Sequence, residues 1–367
     1  MALGSVLRIA LVGPFPPPYG GMASYCSRLK ASIMSQGHQC RPIALSSARD
    51  GPWRGVKRLV SFLLASVRVS RAGVNIVHCI TGSQFNLMAN ALPLLAARLS
   101  RKASALSIVG GELPEVVSSS TWLKQKLLQI ILSLPSKVVA CHIENEHALR
   151  QLGVTSERIL VISNALPQRS GEDALADILP DSALVFCDSH RPIIVSVTAW
   201  YPHYGAMELV QAAAGLRRLY PRLGLLLIFK EGGDTEFTKR FHAFLENRYL
   251  TEHVLVLHNV PSVMALLRRA DVFVRTPHSE GDSMSVREAL LEGLPVIASD
   301  VGYRPPGVVL FRPGDSDDLQ VQLETVLTAS RPPQNRRGNL DHEGELNLKH
   351  LIQMYQQLAS PKSVNDN

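Results

Sequence analysis

The chain has 367 residues, 46% of them hydrophobic and 19% charged, which excludes a disordered or fibrous polypeptide and suits two globular domains of ordinary size. No uninterrupted apolar run reaches the roughly 18 residues of a spanning helix. The net charge of +7 is unevenly placed: residues 1–170 hold 19 Lys and Arg against 6 Asp and Glu, and the remainder holds 19 against 25. A basic first half is expected to meet something anionic. Nucleic acid is disfavoured, because the cations are not interleaved with stacking aromatics, which make up only 6% of the chain. An anionic membrane surface or a phosphate-bearing lipid fits better. The five scattered cysteines, odd in number and without metal spacing, suit a reducing cytosol.

In chain order, MALGSVLRIALVGPF lacks a long apolar stretch followed by a cleavage site, so it is expected to hold the first strand rather than a leader. PPPYGG and a helical pattern, MASYCSRLKASIMSQG, follow it. Short apolar, β-branched runs then recur as QCRPIAL, NIVHCI, ASALSIVG, KVVACHI and RILVIS. Strands alternating with helices imply a parallel sheet wrapped by helices. Residues 167–192, rich in Pro, Ser and Asp, are expected to be an inter-domain passage after a first domain spanning 1–166. A second series runs PIIVSVTAW, MELVQAAAGLRRLYP, LGLLLIFKEGG, HVLVLHNV, DVFVRTP and PVIASDVG, giving a second domain over 193–345. A C-terminal helix over 346–360 and a frayed tail, 361–367, complete the chain. The expected fold class is α/β, with two Rossmann-like doubly wound domains facing across a cleft. Segments such as GVKRLVSFLLASVRVSRAG and TWLKQKLLQIILSLPSK mix Lys and Arg with apolar residues as an interfacial helix does.

Chemistry concentrates in SEGDSMSVREALLEG, residues 279–293. A buried strand delivers the chain to Glu280 at the carboxyl edge of the sheet, where open α/β sheets bind ligands. The small residues that follow enter a helix whose first N–H groups lack partners and whose dipole favours a phosphate. Glu288 can then present a carboxylate to vicinal hydroxyls such as those of a ribose. The set suits a nucleoside-diphosphate sugar. First-turn acids also steady a helix dipole, and for the E-x7-E spacing by itself that reading stays open.

The run ADVFVRTPHSEGDSMSVREALLEGLPVIASDVGYRPPGVVLFRPGDSDDL resembles the donor-binding segment of family 4 glycosyltransferases of the GT-B fold. The Gly-Gly loop after the first strand, GHQC, IVHCI, VISN, PHYG and HNVPSVMALLRRAD follow the same family's order, so the resemblance spans residues 7–320. It implies retaining transfer of a sugar from a nucleotide donor to a glycan or lipid-linked acceptor. On that resemblance Glu280 lies near the donor sugar, Glu288 on the ribose, and the amides of Ser283, Met284 and Ser285 on phosphate, with Gly20 and Gly21 approaching the donor by backbone. No metal and no cofactor beyond the nucleotide sugar is implied.

Three departures stand out. Alignment on Pro202 and Gly205 puts Ala199 and Tyr204 where the family carries an Arg and a Lys for the pyrophosphate. Lys230, at the end of LLLIF, is the expected substitute, with Arg275 and Arg287 as second choices. Val109 or a neighbouring glycine occupies the place of the family's histidine; His78 lies on another strand, and Glu112 becomes a candidate for positioning the acceptor. These losses keep a second reading open, a non-catalytic GT-B subunit that binds a sugar nucleotide or scaffolds a partner. The expected location is cytoplasmic, at the inner face of a membrane if the basic half contacts lipid.

Overall fold

The computed structural model describes residues 6–17, 19–45, 54–82, 84–167, 179–258, 260, 263–329 and 337–360. The chain divides into two compact units, residues 1–167 with 342–367, and residues 168–341.

In the first unit the described elements are β1 (Arg8–Gly13), α1 (Gly21–Ser35), β2 (Gln39–Ala44), α2 (Arg54–Arg71), β3 (Ile76–Thr81), α3 (Gln84–Ala89), α4 (Ala91–Leu99), β4 (Ala103–Ile108), α5 (Leu113–Ser118), α6 (Trp122–Leu132), β5 (Lys137–Ala140), α7 (Ile143–Gln151) and β6 (Ile159–Val161). The strands form one parallel sheet in the order β2-β1-β3-β4-β5-β6. The period-2 pleat sends Ala10, Val12, Val77 and Leu106 into one core beneath α2, α4 and α6. On the opposite face α1 lies so close to β1 that a Cβ on Gly13 would stand 2.8 Å from the Cys26 sulfur.

The second unit contains α8 (Asp181–Ser189), β7 (Ile193–Trp200), α9 (Ala206–Leu216), β8 (Gly224–Gly233), α10 (Thr235–Asn247), β9 (Val254–His258), α11 (Met264–Leu267), β10 (Val272–Arg275), α12 (Met284–Leu291), β11 (Val296–Ser299), β12 (Val309–Phe311) and α13 (Ser316–Thr328). Its parallel sheet runs β12-β11-β10-β7-β8-β9, the doubly wound order in which the chain reverses between β7 and β10. Ile194 enters the core under α9, α10 and α13, whereas its neighbours Ile193 and Val195 enter the core under α8, α11 and α12.

Two boundaries differ from expectation. Residues 168–178 of the expected linker lie outside the described residues, but its second half is a helix, α8. DSALVFCDS places Ala183, Phe186 and Cys187 at helical spacing, and all three are buried in the second unit. The last helix, α14 (Arg337–Ala359), starts earlier than residue 346. From residue 342 it belongs to the first unit. There Asn347 Nδ2 donates to Ser163 Oγ (2.8 Å) and to the Ala165 carbonyl (3.1 Å), and Glu343 accepts from Ser163 Oγ at 2.5 Å. The tail 361–367 lies outside the described residues.

His78 belongs to this docking and not to a strand end. It is fully buried in the middle of β3, with Nδ1 2.6 Å from the Tyr355 hydroxyl of α14 and Nε2 2.7 Å from Ser107 Oγ. Burial drives its pKa down to about 3, so it stays neutral and joins helix to sheet.

Candidate functional site

In the second unit the candidate residues gather at the carboxyl ends of β7, β8 and β10, beside the reversal in strand order. Pairing of β10 with β7 ends at Phe273 opposite Val195. Two residues on, Arg275 reaches across and donates to the Val197 carbonyl, so its side chain extends the contact that the backbones have stopped making. Its guanidinium also grips Glu280: Nε donates to Oε1 at 3.0 Å and to Oε2 at 3.1 Å, and Nη2 donates to Oε1. Arg304, in the loop after β11, donates from Nη1 to Oε2 at 2.9 Å. All three side chains are at most 14% exposed.

Burial by itself would raise the Glu280 carboxyl, but the two guanidinium groups outweigh it and hold the pKa at about 2. Glu280 is therefore ionised throughout the physiological range. With two arginines on one carboxylate, the clamp carries a net positive charge.

The loops beneath this clamp are fixed by backbone contacts that exclude side chains. Gly302 has φ +58°, and a Cβ there would lie 2.1 Å from the Glu280 carbonyl oxygen; Tyr303 N donates to the Gly281 carbonyl at 3.2 Å. Arg304 Nε bonds the Ser299 carbonyl (3.0 Å), and Ser299 Oγ bonds the Pro277 carbonyl (2.6 Å). Gly205, at φ +70°, would put a Cβ 2.0 Å from the Thr276 carbonyl oxygen, while Thr276 Oγ1 donates to the Tyr204 carbonyl at 2.9 Å. Only glycine fits at either crossing.

Tyr204 is held in this way next to two cations. Lys230 Nζ and the Arg275 guanidinium carbon each lie 5.6 Å from its ring centroid, within cation–π reach. Lys230 does not end its strand, as the sequence reading had it. β8 pairs Phe229 with Thr198 and Gly233 with Trp200, so residues 230–232 bulge opposite Ala199. Lys230 thus stands on the strand beside that of the buried Ala199. Arg287 is buried against Asp282, with Nε 2.7 Å from Oδ1.

Helix α12 begins immediately after the clamp. Its N-cap Ser283 makes no side-chain capping bond, and no acidic residue occupies the first turn. Ser283, Met284 and Ser285 are each at most 9% exposed, with the two hydroxyls 3.2 Å apart, and Glu288 is buried on the second turn. The first turn itself carries no acid, and Asp282, just before the N-cap, is paired with Arg287. No group of three or more His, Cys, Asp or Glu that could hold a metal is found among the described residues.

In the first unit Gly20 is the N-cap of α1 and Gly21 its first residue; a Cβ on Gly21 would meet nothing within 4 Å. Glu112 is exposed at the N-cap of α5. It borders a small pocket with Gly82, Gly110 and Leu113, past the ends of β3 and β4. No motif in the sequence singles out Arg304. Its only signal is a cation in the loop that leaves the strand adjacent to β10.

Residues 186–338 match the family model described as glycosyl transferases group 1. This group 1 segment covers nearly all of the second unit, clamp included, and supports a glycosyltransferase. No curated protein matches the chain. Among solved structures, a glycosyltransferase from Rickettsia africae covers 97% of this chain and 100% of its own at 16% identity and TM-score 0.69. Anabaena HepE, solved with UDP and glucose, covers 97% and 100% at 15% identity and TM-score 0.66. Sucrose-phosphate synthase from Thermosynechococcus elongatus covers 96% and 99% at 18% identity and TM-score 0.68. These likenesses extend over both units and show the GT-B fold.

Proposed function

We propose that the chain is a retaining family 4 glycosyltransferase that moves a hexosyl group from a nucleoside-diphosphate sugar to a glycan or lipid-linked acceptor, in polysaccharide or glycoconjugate synthesis. The observation that carries this reading is the cation cluster around Tyr204. Lys230 and Arg275 flank the Tyr204 ring, and Arg275 and Arg304 both bind Glu280, at the carboxyl edge where β7 and β10 part. A departing nucleoside diphosphate develops negative charge, and preorganised cations there lower the barrier because they need no reorganisation. The crystal structure of HepE with UDP supports a uridine nucleotide as the first donor to test.

Within this reading, the amides of Ser283, Met284 and Ser285 hold phosphate, and Glu288 accepts hydrogen bonds from the ribose hydroxyls. Lys230 and Arg275 supply the charge that Ala199 and Tyr204 do not. Glu280 positions both arginines. The Arg275 Nε bond is shared between its two oxygens, so releasing one of them lets the carboxylate accept a donor-sugar hydroxyl. Gly20 and Gly21 bring backbone to the donor, and Glu112 positions the acceptor. No metal is assigned a part.

The test is transfer of label from a panel of nucleotide sugars, UDP-glucose among them, to a membrane lipid extract, paired with calorimetric binding of the free nucleoside diphosphates. Binding and transfer are expected. Binding without transfer from any donor would favour the non-catalytic subunit, and neither would remove the site.

A further inference from the structure

The first unit has an outer face unlike the rest of the described surface. Helices α2, α4 and α6 seat their inner sides on one core through Phe62 and Val69, Leu94, and Leu128. A helix packed this way ordinarily turns a polar side to water, whereas these three turn a row of large apolar side chains to water beside their cations. On α2, Leu59, Val60, Leu63, Leu64 and Val67 are 45–52% exposed; on α6, Trp122, Leu123 and Ile130 are 62–69% exposed; on α4, Leu99 is 76% exposed. Of the 23 exposed large apolar side chains among the described residues, 12 lie on these three helices. Single exposed leucines are ordinary, but this concentration is not.

The charge on these three helices has one sign. No Asp or Glu occurs in α2, α4 or α6, nor anywhere in residues 51–111. Lys57 and Arg58 stand in the first turns of α2 and Arg68 and Arg71 in its last; Arg98 lies on α4, and Lys124 and Lys126 on α6. On α2 the apolar stripe is therefore bracketed by cations at both ends.

We propose that this face docks on an anionic lipid bilayer, with the apolar side chains in the headgroup boundary and the lysines and arginines against lipid phosphates. A second copy of the chain is a poor occupant, since apposing these helices would bring seven cations toward seven with no acid on the three helices to offset them. Nucleic acid would leave a dozen apolar side chains facing its phosphates. An anionic bilayer satisfies both halves of the surface, apolar contact and charge. Among the described residues no helix is long and apolar enough to cross a membrane, so the contact is along the surface.

The experiment is co-sedimentation of the whole chain with vesicles of phosphatidylcholine alone, or of phosphatidylcholine with phosphatidylglycerol, at low and high salt. Binding is expected to favour the anionic vesicles by about tenfold or more and to fall as salt rises. Trp122 emission should shift to the blue on binding, and Trp122→Phe should remove that shift. Arg68→Ala with Arg71→Ala, two exposed positions, should lower partition by about fivefold per cation. Leu64→Ser should lower it by about tenfold, with thermal unfolding unchanged in every variant. Three results would overturn the proposal: no pelleting with anionic vesicles, equal pelleting with neutral ones, or a dimer in buffer that Leu64→Ser dissolves. Vesicle binding needs no sugar donor, so its failure and that of the transfer reading can be told apart.

Discussion

Both units are six-stranded parallel sheets, but the chain reverses between β1 and β3 in the first and between β7 and β10 in the second, and their carboxyl edges are used differently. In the second, side chains fill the point where β7 and β10 part: Arg275, Glu280 and Arg304 are buried together, with Tyr204 and Lys230 alongside. In the first, the corresponding edge is built from glycines, Gly20, Gly21, Gly82 and Gly110, with an exposed Glu112. A Cβ on Gly110 would lie 2.3 Å from the Gly82 carbonyl oxygen, so backbone there nearly touches backbone. Two parallel doubly wound sheets thus carry a charged, preorganised edge in one unit and a bare edge in the other. The first unit carries its charge on its helices instead.

The largest expected effect comes from cutting the clamp. Arg275→Ala should destabilise the protein by about 3–5 kcal/mol, because it leaves a buried carboxylate short of its main partner; denaturant unfolding measures this. The same clamp predicts an acid signature. The Glu280 pKa falls from 4.5 to about 2 on folding, so the unfolded chain binds the proton first as pH drops. The stability it contributes is complete above about pH 4.5 and is lost as pH falls through 2. Glu280→Gln should flatten the stability profile across that window.

Lys230→Ala is expected to lower kcat by about a hundredfold, with a smaller change in donor KM, since leaving-group charge grows toward the transition state. Lys230→Arg should retain part of the rate. Normal turnover of Lys230→Ala would shift the role to Arg275 and Arg304.

Glu288→Ala should weaken nucleoside diphosphate binding by about tenfold in calorimetry, through loss of charge-assisted bonds to the ribose. Unchanged affinity would take Glu288 out of the site.

The smallest effect tests the bare edge. Because nothing lies near its absent Cβ, Gly21→Ala should leave stability unchanged or raise the unfolding free energy by up to about 1 kcal/mol, as denaturant unfolding measures. Weaker donor binding in the same variant would show that the ligand, and not the fold, requires glycine there. Equal binding would make Gly21 an ordinary helix start.

The sequence by itself determined the α/β class, the two strand series and the placing of Glu280, Ser283 and Glu288 around a strand-to-helix loop. Those features are local: apolar runs, glycine and proline punctuation, and a spacing within one loop. Position next to Ala199 was legible for Lys230 only in outline, because the bulge over residues 230–232 depends on pairing with β7. Tertiary structure decided what no local pattern carries. Arg304 reaches Glu280 from a loop 24 residues away, Arg275 is drawn to the Val197 carbonyl across the gap between strands, and His78 is claimed by Tyr355 from the far end of the chain. In each case a buried polar group must find a partner, and the partner is whichever group the folded chain brings within hydrogen-bond distance.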